Sequence, residues 1–145
     1  MKKLGVILIL LLIFSASCDR SLNALDPTDS DVVIRFLGKN TGENESLEFL
    51  FYNGSQASVY FMGYGPEGPI YSIEVQSDTG WVNNGPGWCG TGLVLHELAP
   101  GSSFKFNAYL NENYADWRVS IWLYDRMGDI DRLVWSHAVQ VYYPI

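Results

Sequence analysis

The chain has 145 residues, of which 48% are hydrophobic and 14% aromatic, enough for one domain with a sizeable core. Its formal net charge is −7, with 16 Asp and Glu residues against 9 Lys and Arg. This acidity argues against nucleic acid or an anionic lipid surface as a partner, because both bind proteins through basic patches.

The first seventeen residues have the order of an export signal: positive, apolar, then small. Lys2 and Lys3 are followed by an unbroken apolar run from Gly5 to Phe14, and then by Ser15-Ala16-Ser17. The run is too short to cross a hydrocarbon core, which needs ~20 apolar residues. We therefore predict a hydrophobic signal-peptide helix in residues 1–17 that is removed on export.

Cys18 directly follows these small residues. The arrangement resembles the lipobox of bacterial lipoproteins, with Ser15 at the position where leucine is usual. The resemblance implies cleavage before Cys18, alkylation of its thiol by diacylglycerol, and acyl chains such as palmitate that attach the exported protein to a bacterial membrane. It leaves open whether this is the inner or the outer membrane. The alternative is an ordinary signal peptide with a cysteine near its cut.

A polar segment separates Cys18 from the rest of the chain. It extends to Ser30, contains Pro27, and shows neither strand nor helix periodicity. We predict a lipidated tether in residues 18–30 and one domain in residues 31–145. Removal of the signal takes away two lysines and leaves 7 Lys and Arg residues against 16 Asp and Glu, a formal charge of −9.

From Asp31 onward the main pattern is alternation of apolar and polar residues, interrupted by Gly, Pro, Asn and Asp. A period of two predicts strands with one face in a core and one face toward water. The predicted strands are residues 32–37, 47–52, 57–62, 71–76, 93–98, 104–110, 117–124 and 133–143. About eight strands at regular spacing, with no convincing helix after the signal, predict an all-β fold: a single antiparallel β-sandwich.

One turn carries a family resemblance. The segment Leu98-Ala99-Pro100-Gly101-Ser102-Ser103-Phe104-Lys105-Phe106 is similar to the turn that enters the penultimate strand of fibronectin type III domains. The resemblance implies that Leu98 packs under the turn, that Pro100-Gly101 reverses the chain, and that Phe104 caps the core in the place of a tyrosine. Two predicted strands, residues 117–124 and 133–143, follow the strand that this turn enters, where the family has one. An immunoglobulin-like sandwich is the expected topology.

The segment from Gly80 to Gly90 contains the candidate ligand-binding residues. Trp81 and Trp88 would form a flat stacking surface beside the amides of Asn83 and Asn84. Sugar-binding proteins use this combination, because the CH faces of a pyranose stack on aromatic rings while amides bind its hydroxyls. The alternative, which we favour, is that both indoles fold inward and close one end of the sandwich, since large apolar rings in a small domain are usually buried.

Cys89 is the one cysteine left if Cys18 carries lipid, so the core is expected to hold together by packing without an internal disulfide. A thiol nucleophile needs a base within hydrogen-bond reach. His96 and His137 are the two histidines of the chain, and they lie on separate predicted strands. A thiol-dependent enzyme is therefore the weakest of the functional hypotheses.

No metal site or cofactor is predicted. The two histidines and Cys89 lack the paired spacing of structural zinc. Asp125, Asp129 and Asp131 form an acidic cluster, but they miss the calcium-loop pattern, which ends in a late glutamate. We predict a solvated hairpin loop instead, with Gly128 in the left-handed conformation.

Several aromatic residues fall out of phase with the predicted core: Tyr52, Tyr60, Tyr109, Trp122, Tyr124 and Tyr142. If they share a face, they form either an exposed interaction patch or a sheet that is covered on both sides. The leading hypothesis is therefore a non-enzymatic envelope lipoprotein whose sandwich is an interaction or structural module, with an envelope protein or a glycan as its partner. The sequence does not predict an oligomeric state.

Overall fold

The computed structural model describes residues 31–40, 46–109 and 116–140. The predicted signal peptide, Cys18, the tether and Tyr142 lie outside these ranges. Within them the chain forms strands and turns without a helix, so the predicted all-β class is confirmed for this part. No helix long and apolar enough to span a membrane occurs in the described ranges.

Eleven strands occur in the described residues, where about eight were predicted. They are β1 (Val32–Asn40), β2 (Ser46–Asn53), β3 (Val59–Gly65), β4 (Gly68–Pro69), β5 (Ser72–Ser77), β6 (Gly80–Asn83), β7 (Val94–Leu98), β8 (Ser103–Ala108), β9 (Asp116–Tyr124), β10 (Ile130–Trp135) and β11 (Val139–Gln140). The extra strands are short. β4 and β6 lie in segments between predicted strands, and β11 results from a break in the predicted last strand.

The strands form two antiparallel sheets. The smaller sheet has the order β1-β2-β8. In the larger sheet β9 is central: β3 and β5 pair with one of its edges, while β10 and β11 pair with the other. The hairpin strand β4 and β7 pair with β3, and β6 pairs with β5. This is the arrangement of a β-sandwich, with two open sheets around one core.

The core consists of the inward-facing residues of both sheets. On β9 every second residue from Trp117 to Leu123 is buried, as the alternation predicts. Rings from the two sheets meet in the centre: Phe49 lies 5.6 Å from Trp117, and Phe51 lies 5.7 Å from Phe61, both edge to face. These aromatic contacts join the two layers.

The turn from Leu98 to Phe104 carries the chain from the larger sheet to the smaller one. Leu98 is buried beneath it, and Gly101 adopts a left-handed conformation with φ +72°. Phe104 is buried against Phe51 and Phe61. The local roles that the fibronectin-like turn implied for Leu98 and Phe104 are thus present.

Asn53 holds this end of the sandwich together. Its side chain is fully buried, and its Nδ2 donates to the carbonyl oxygens of Ala57 and Leu98, each at 2.9 Å. Its Oδ1 accepts hydrogen bonds from the backbone and the hydroxyl of Ser55. Since the backbone of Asn53 also bonds to Gly101 and Ser102, one residue joins β2, the entry to β3 and the turn before β8.

The prediction of one long final strand over residues 133–143 was wrong in its bounds. β10 begins earlier, at Ile130, and the ladder breaks at Ser136 before β11. At the break, Ser136 Oγ accepts the hydrogen bond of Val119 N–H, and Ser136 N–H donates to the Val119 carbonyl oxygen. The preceding loop agrees with its prediction: Gly128 has φ +90°, and Asp125 Oδ1 accepts from the backbone of Met127 and Asp129.

Candidate functional site

The structure places Trp81 and Trp88 among different neighbours. Trp81 lies on the edge strand β6, where its indole contacts Arg118 on the outer face of the larger sheet. Trp88 lies in the segment after β6 and contacts Tyr64 and Tyr71. A shared stacking surface would require the two indoles to lie side by side. Their different neighbours place them at separate positions in the domain.

Trp81 belongs to a stack on the outer face. The Arg118 guanidinium lies 4.5 Å from the ring of Trp81 and 4.0 Å from the ring of Trp135. Two N–H groups of Arg118 also donate to one carboxylate oxygen of Glu74, at 2.7 and 3.0 Å. Arg118 therefore connects side chains from four neighbouring strands. Within this stack Trp81 has a structural role.

We expect Arg118→Ala to lower the free energy of unfolding by about 1–3 kcal/mol, because it removes both ring contacts and leaves Glu74 unpaired. Arg118→Lys should recover only part of this loss, since an ammonium keeps the charge but not the planar fork. Chemical denaturation measures both. Lys105→Ala is the control: Lys105 also bridges two strands, to Glu48 at 3.1 Å, but it is exposed. Equal losses for Arg118→Ala and Lys105→Ala would show that the stack adds nothing.

Asn83 and Asn84 hold the segment that follows β6. Asn83 Oδ1 accepts a hydrogen bond from Gly85 N–H, and Asn84 N–H donates to the carbonyl oxygen of Ile73 on β5. Gly85 lies so close to β5 that a Cβ at this position would be 2.8 Å from Ile73 N. The Asn83 side chain is thus hydrogen-bonded within the loop. The loop backbone lies against β5 before the chain continues to Trp88.

Trp88 forms one wall of a cleft at the open edge between the two sheets. Its indole N–H donates to the carbonyl oxygen of Tyr71 at 2.5 Å, and its ring meets Tyr71 edge to face at 4.9 Å. The ring of Tyr64 lies 6.1 Å away, and its hydroxyl donates to the carbonyl oxygen of Cys89. Trp88 is 37% exposed and Tyr64 48%, so neither ring is folded into the core.

The opposite wall comes from the smaller sheet. Phe106 and Asn107 of β8 line the cleft together with Tyr109, which is 57% exposed. The backbone N–H of Tyr109 donates to the Tyr71 hydroxyl at 3.1 Å and so joins the two walls. Burial raises the pKa of Tyr71, so this hydroxyl remains neutral.

The cleft has a volume of about 180 Å³ and is closed at one side by the β3–β4 hairpin, which contributes Glu67, Gly68 and Pro69. Among the described residues that line it, Glu67 is the one charged group, and Asn107 adds an amide. Aromatic rings form most of the remaining surface. The cleft can therefore hold a small group that offers apolar or positively charged surface to the rings.

A second depression, of about 240 Å³, lies on the outer face of the smaller sheet. Its lining residues, Val33, Arg35, Leu50 and Tyr52, come from the neighbouring strands β1 and β2. It is a gap between side chains on an exposed sheet face. The cleft beside Trp88 differs in that both sheets contribute to it.

Cys89 is exposed and follows Trp88 in the chain. Hydrogen bonds with the side chain and backbone of Thr91 lower the pKa of its thiol. His96 instead packs its ring 5.6 Å from Phe61, and His137 is exposed beyond β10. Within the described ranges, no group of three His, Cys, Asp or Glu side chains is placed to share a metal ion.

The out-of-phase aromatic residues divide among three places. Tyr60, Trp122 and Tyr124 share the outer face of the larger sheet and are half-buried, whereas Tyr52 lies exposed on the smaller sheet. Tyr109 borders the cleft. They do not form one patch, because the two sheets turn their outer faces in opposite directions.

No known family model matches this chain, and no curated protein sequence is significantly similar to it. The candidate site therefore rests on its own geometry. Of its aromatic walls, the sequence singled out Trp88 as a ligand-binding residue and Tyr109 as an out-of-phase ring. Tyr64, Glu67, Tyr71 and Phe106 were not identified, because they lie on separate segments that no motif connects.

Proposed function

We propose that this protein is an exported lipoprotein whose β-sandwich is a non-enzymatic binding module, with the cleft beside Trp88 as its ligand site. The observation that carries the binding role is the cleft itself. Three exposed rings, Tyr64, Trp88 and Tyr109, face one small space, and exposed rings held together in this way are typical of a recognition surface.

The hydrogen bonds behind the walls support this proposal. The indole N–H of Trp88 and the backbone N–H of Tyr109 are each bonded to Tyr71, which is itself buried in the core. The first bond fixes the Trp88 ring before a ligand arrives, so this ring loses little conformational freedom on binding. The position of the cleft at an edge where the sheets part also leaves it open to solvent.

The anchor rests on the sequence. The charged, apolar and small segments before Cys18 favour a signal-peptide helix and lipidation of that cysteine, which would place the domain at a bacterial membrane. The turn from Leu98 to Phe104, which crosses between the sheets, favours an immunoglobulin-like topology.

Metabolic labelling with a palmitate analogue tests the anchor. We expect the label on the wild-type protein and complete loss of it in Cys18→Ala, because acylation depends on that thiol. Cys89→Ala is the matched control and should keep the label, since its cysteine lies in the folded domain. An unlabelled wild type, or a label that disappears with Cys89→Ala, would contradict the proposal.

Carbohydrate binding is a second candidate, favoured by the exposed Trp88 ring and the Asn107 amide in the same cleft. In this form it no longer involves Trp81, Asn83 or Asn84. Titration with soluble cell-wall and storage polysaccharides, followed by calorimetry, distinguishes it from the ligand class argued next.

A further inference from the structure

We infer that the cleft beside Trp88 binds a methylated ammonium cation, such as the trimethylammonium group of choline. This inference rests on the proposed binding role of the same cleft. The site consists of Tyr64, Trp88 and Tyr109 as exposed rings, Tyr71 and Phe106 beneath them, and the Glu67 carboxylate at the rim.

Several polar atoms of the rings are already engaged in hydrogen bonds. The indole N–H of Trp88 is used by the Tyr71 carbonyl oxygen, and the hydroxyl of Tyr64 donates to the Cys89 carbonyl oxygen. The hydroxyl of Tyr71 already accepts from Tyr109 N–H. Tyr64, Trp88 and Tyr109 expose ring surface, and the π faces of such rings carry partial negative charge that attracts a cation.

The negative charge at the cleft also favours a cationic ligand. Glu67 is exposed on the β3–β4 hairpin, and no Lys, Arg or His is among the described residues that line the cleft. The chain as a whole carries a formal charge of −7, which also favours cations over anions. A carboxylate beside several aromatic rings balances the positive charge of an ammonium group.

The scarcity of free hydrogen-bonding groups favours a methylated ammonium over a sugar. A pyranose displays several hydroxyls, while the lining offers chiefly the side-chain polar groups of Asn107, Glu67 and Tyr109. A primary ammonium is strongly hydrated and needs acceptors for three donors. A methylated ammonium needs none, and a volume of about 180 Å³ suits a compact head group rather than a drug-sized molecule.

Calorimetric titration of the full chain with choline and with 3,3-dimethyl-1-butanol, its neutral isostere, tests the inference. Both molecules have the same shape, so a difference between them reports the positive charge. We expect choline to bind roughly tenfold more tightly, the size of a cation–π contribution of about 1.4 kcal/mol. Phosphocholine as a third titrant distinguishes a lipid head group from a free solute: comparable binding of both indicates the head group, and preference for choline the solute.

Two exposed residues supply the variants. Glu67→Gln keeps the shape of the rim but removes its charge, and Tyr109→Ala removes one ring, so each should weaken choline binding severalfold. Tyr52→Ala is the control, because Tyr52 is an exposed tyrosine on the outer face of the smaller sheet. Thermal unfolding of each variant checks that the fold is retained.

Equal affinity for choline and the alcohol would overturn the inference. So would choline binding that is insensitive to both Glu67→Gln and Tyr109→Ala. Binding of a sugar but not of choline, lost in Tyr109→Ala, would overturn the cation while leaving the proposed binding module in place. If neither choline nor any sugar binds, both the inference and the proposed role of the cleft fail.

Discussion

Replacing Trp117 with alanine should lower the free energy of unfolding by about 3–5 kcal/mol, the range for removal of a large buried aromatic ring. Trp117 is fully buried on the central strand β9, and it meets Phe36 and Phe49 of the smaller sheet edge to face. The substitution would leave a cavity in the middle of the contact between the sheets. A small domain is stable by about 5–15 kcal/mol, so this loss is a large part of the total.

Urea denaturation measures the effect, and Trp122→Ala is the matched control. Trp122 lies on the same strand, but its ring is half-buried on the outer face. We therefore expect it to cost much less. Trp117→Phe should cost less than Trp117→Ala, because it keeps an aromatic ring and removes an indole N–H that is buried without a hydrogen-bond partner in the described part of the chain. Equal costs for Trp117→Ala and Trp122→Ala would show that the core is not centred here.

Asn53→Ala is the second substitution with a large expected effect, a loss of about 2–4 kcal/mol. It removes the Nδ2 donor from the carbonyl oxygens of Ala57 and Leu98, of which the second bond is buried. It also removes the acceptor of Ser55. The cost exceeds that of an ordinary hydrogen bond because backbone groups are left unpaired away from water.

Asn107→Ala provides the comparison for this loss, since Asn107 is exposed on β8. It should change the free energy of unfolding by less than about 0.5 kcal/mol. Asn53→Asp is a further test, because it keeps the acceptor and removes the donor; we expect it to destabilise the fold nearly as much as Asn53→Ala. A fully stable Asn53→Asp would show that the two donated bonds contribute nothing.

The all-β class and most of the core follow from local pattern. Phe49, Phe51, Ile73 and Val119 are buried, as period-two alternation requires, because each strand has one face in the core. The structural role of Asn53 could not be predicted from the sequence, because Asn-Gly ordinarily indicates a solvent-exposed turn. Here the turn is covered by the segment between Leu98 and Ser102, a contact between residues far apart in sequence.

The candidate site was less predictable than the fold. Trp81 and Trp88 are close in sequence, but Trp81 packs against Arg118. The position of Arg118 opposite Glu74 depends on the pairing of β5 with β9. The cleft likewise depends on which strands meet at the sheet edge. Alternation with a period of two predicts which face of the sheet a residue lies on, but it does not predict which strand lies beside it.

The direction of β8 determines which end of the domain displays the cleft. The strand begins at Ser103, beside the backbone of Asp31, Asn53 and Gly54, where the described domain begins; it ends at Ala108, beside the cleft. The six residues of this strand separate its two ends by about 17 Å. If Cys18 carries the proposed lipid, the tether joins the domain at one end, and the proposed ligand site opens at the opposite end.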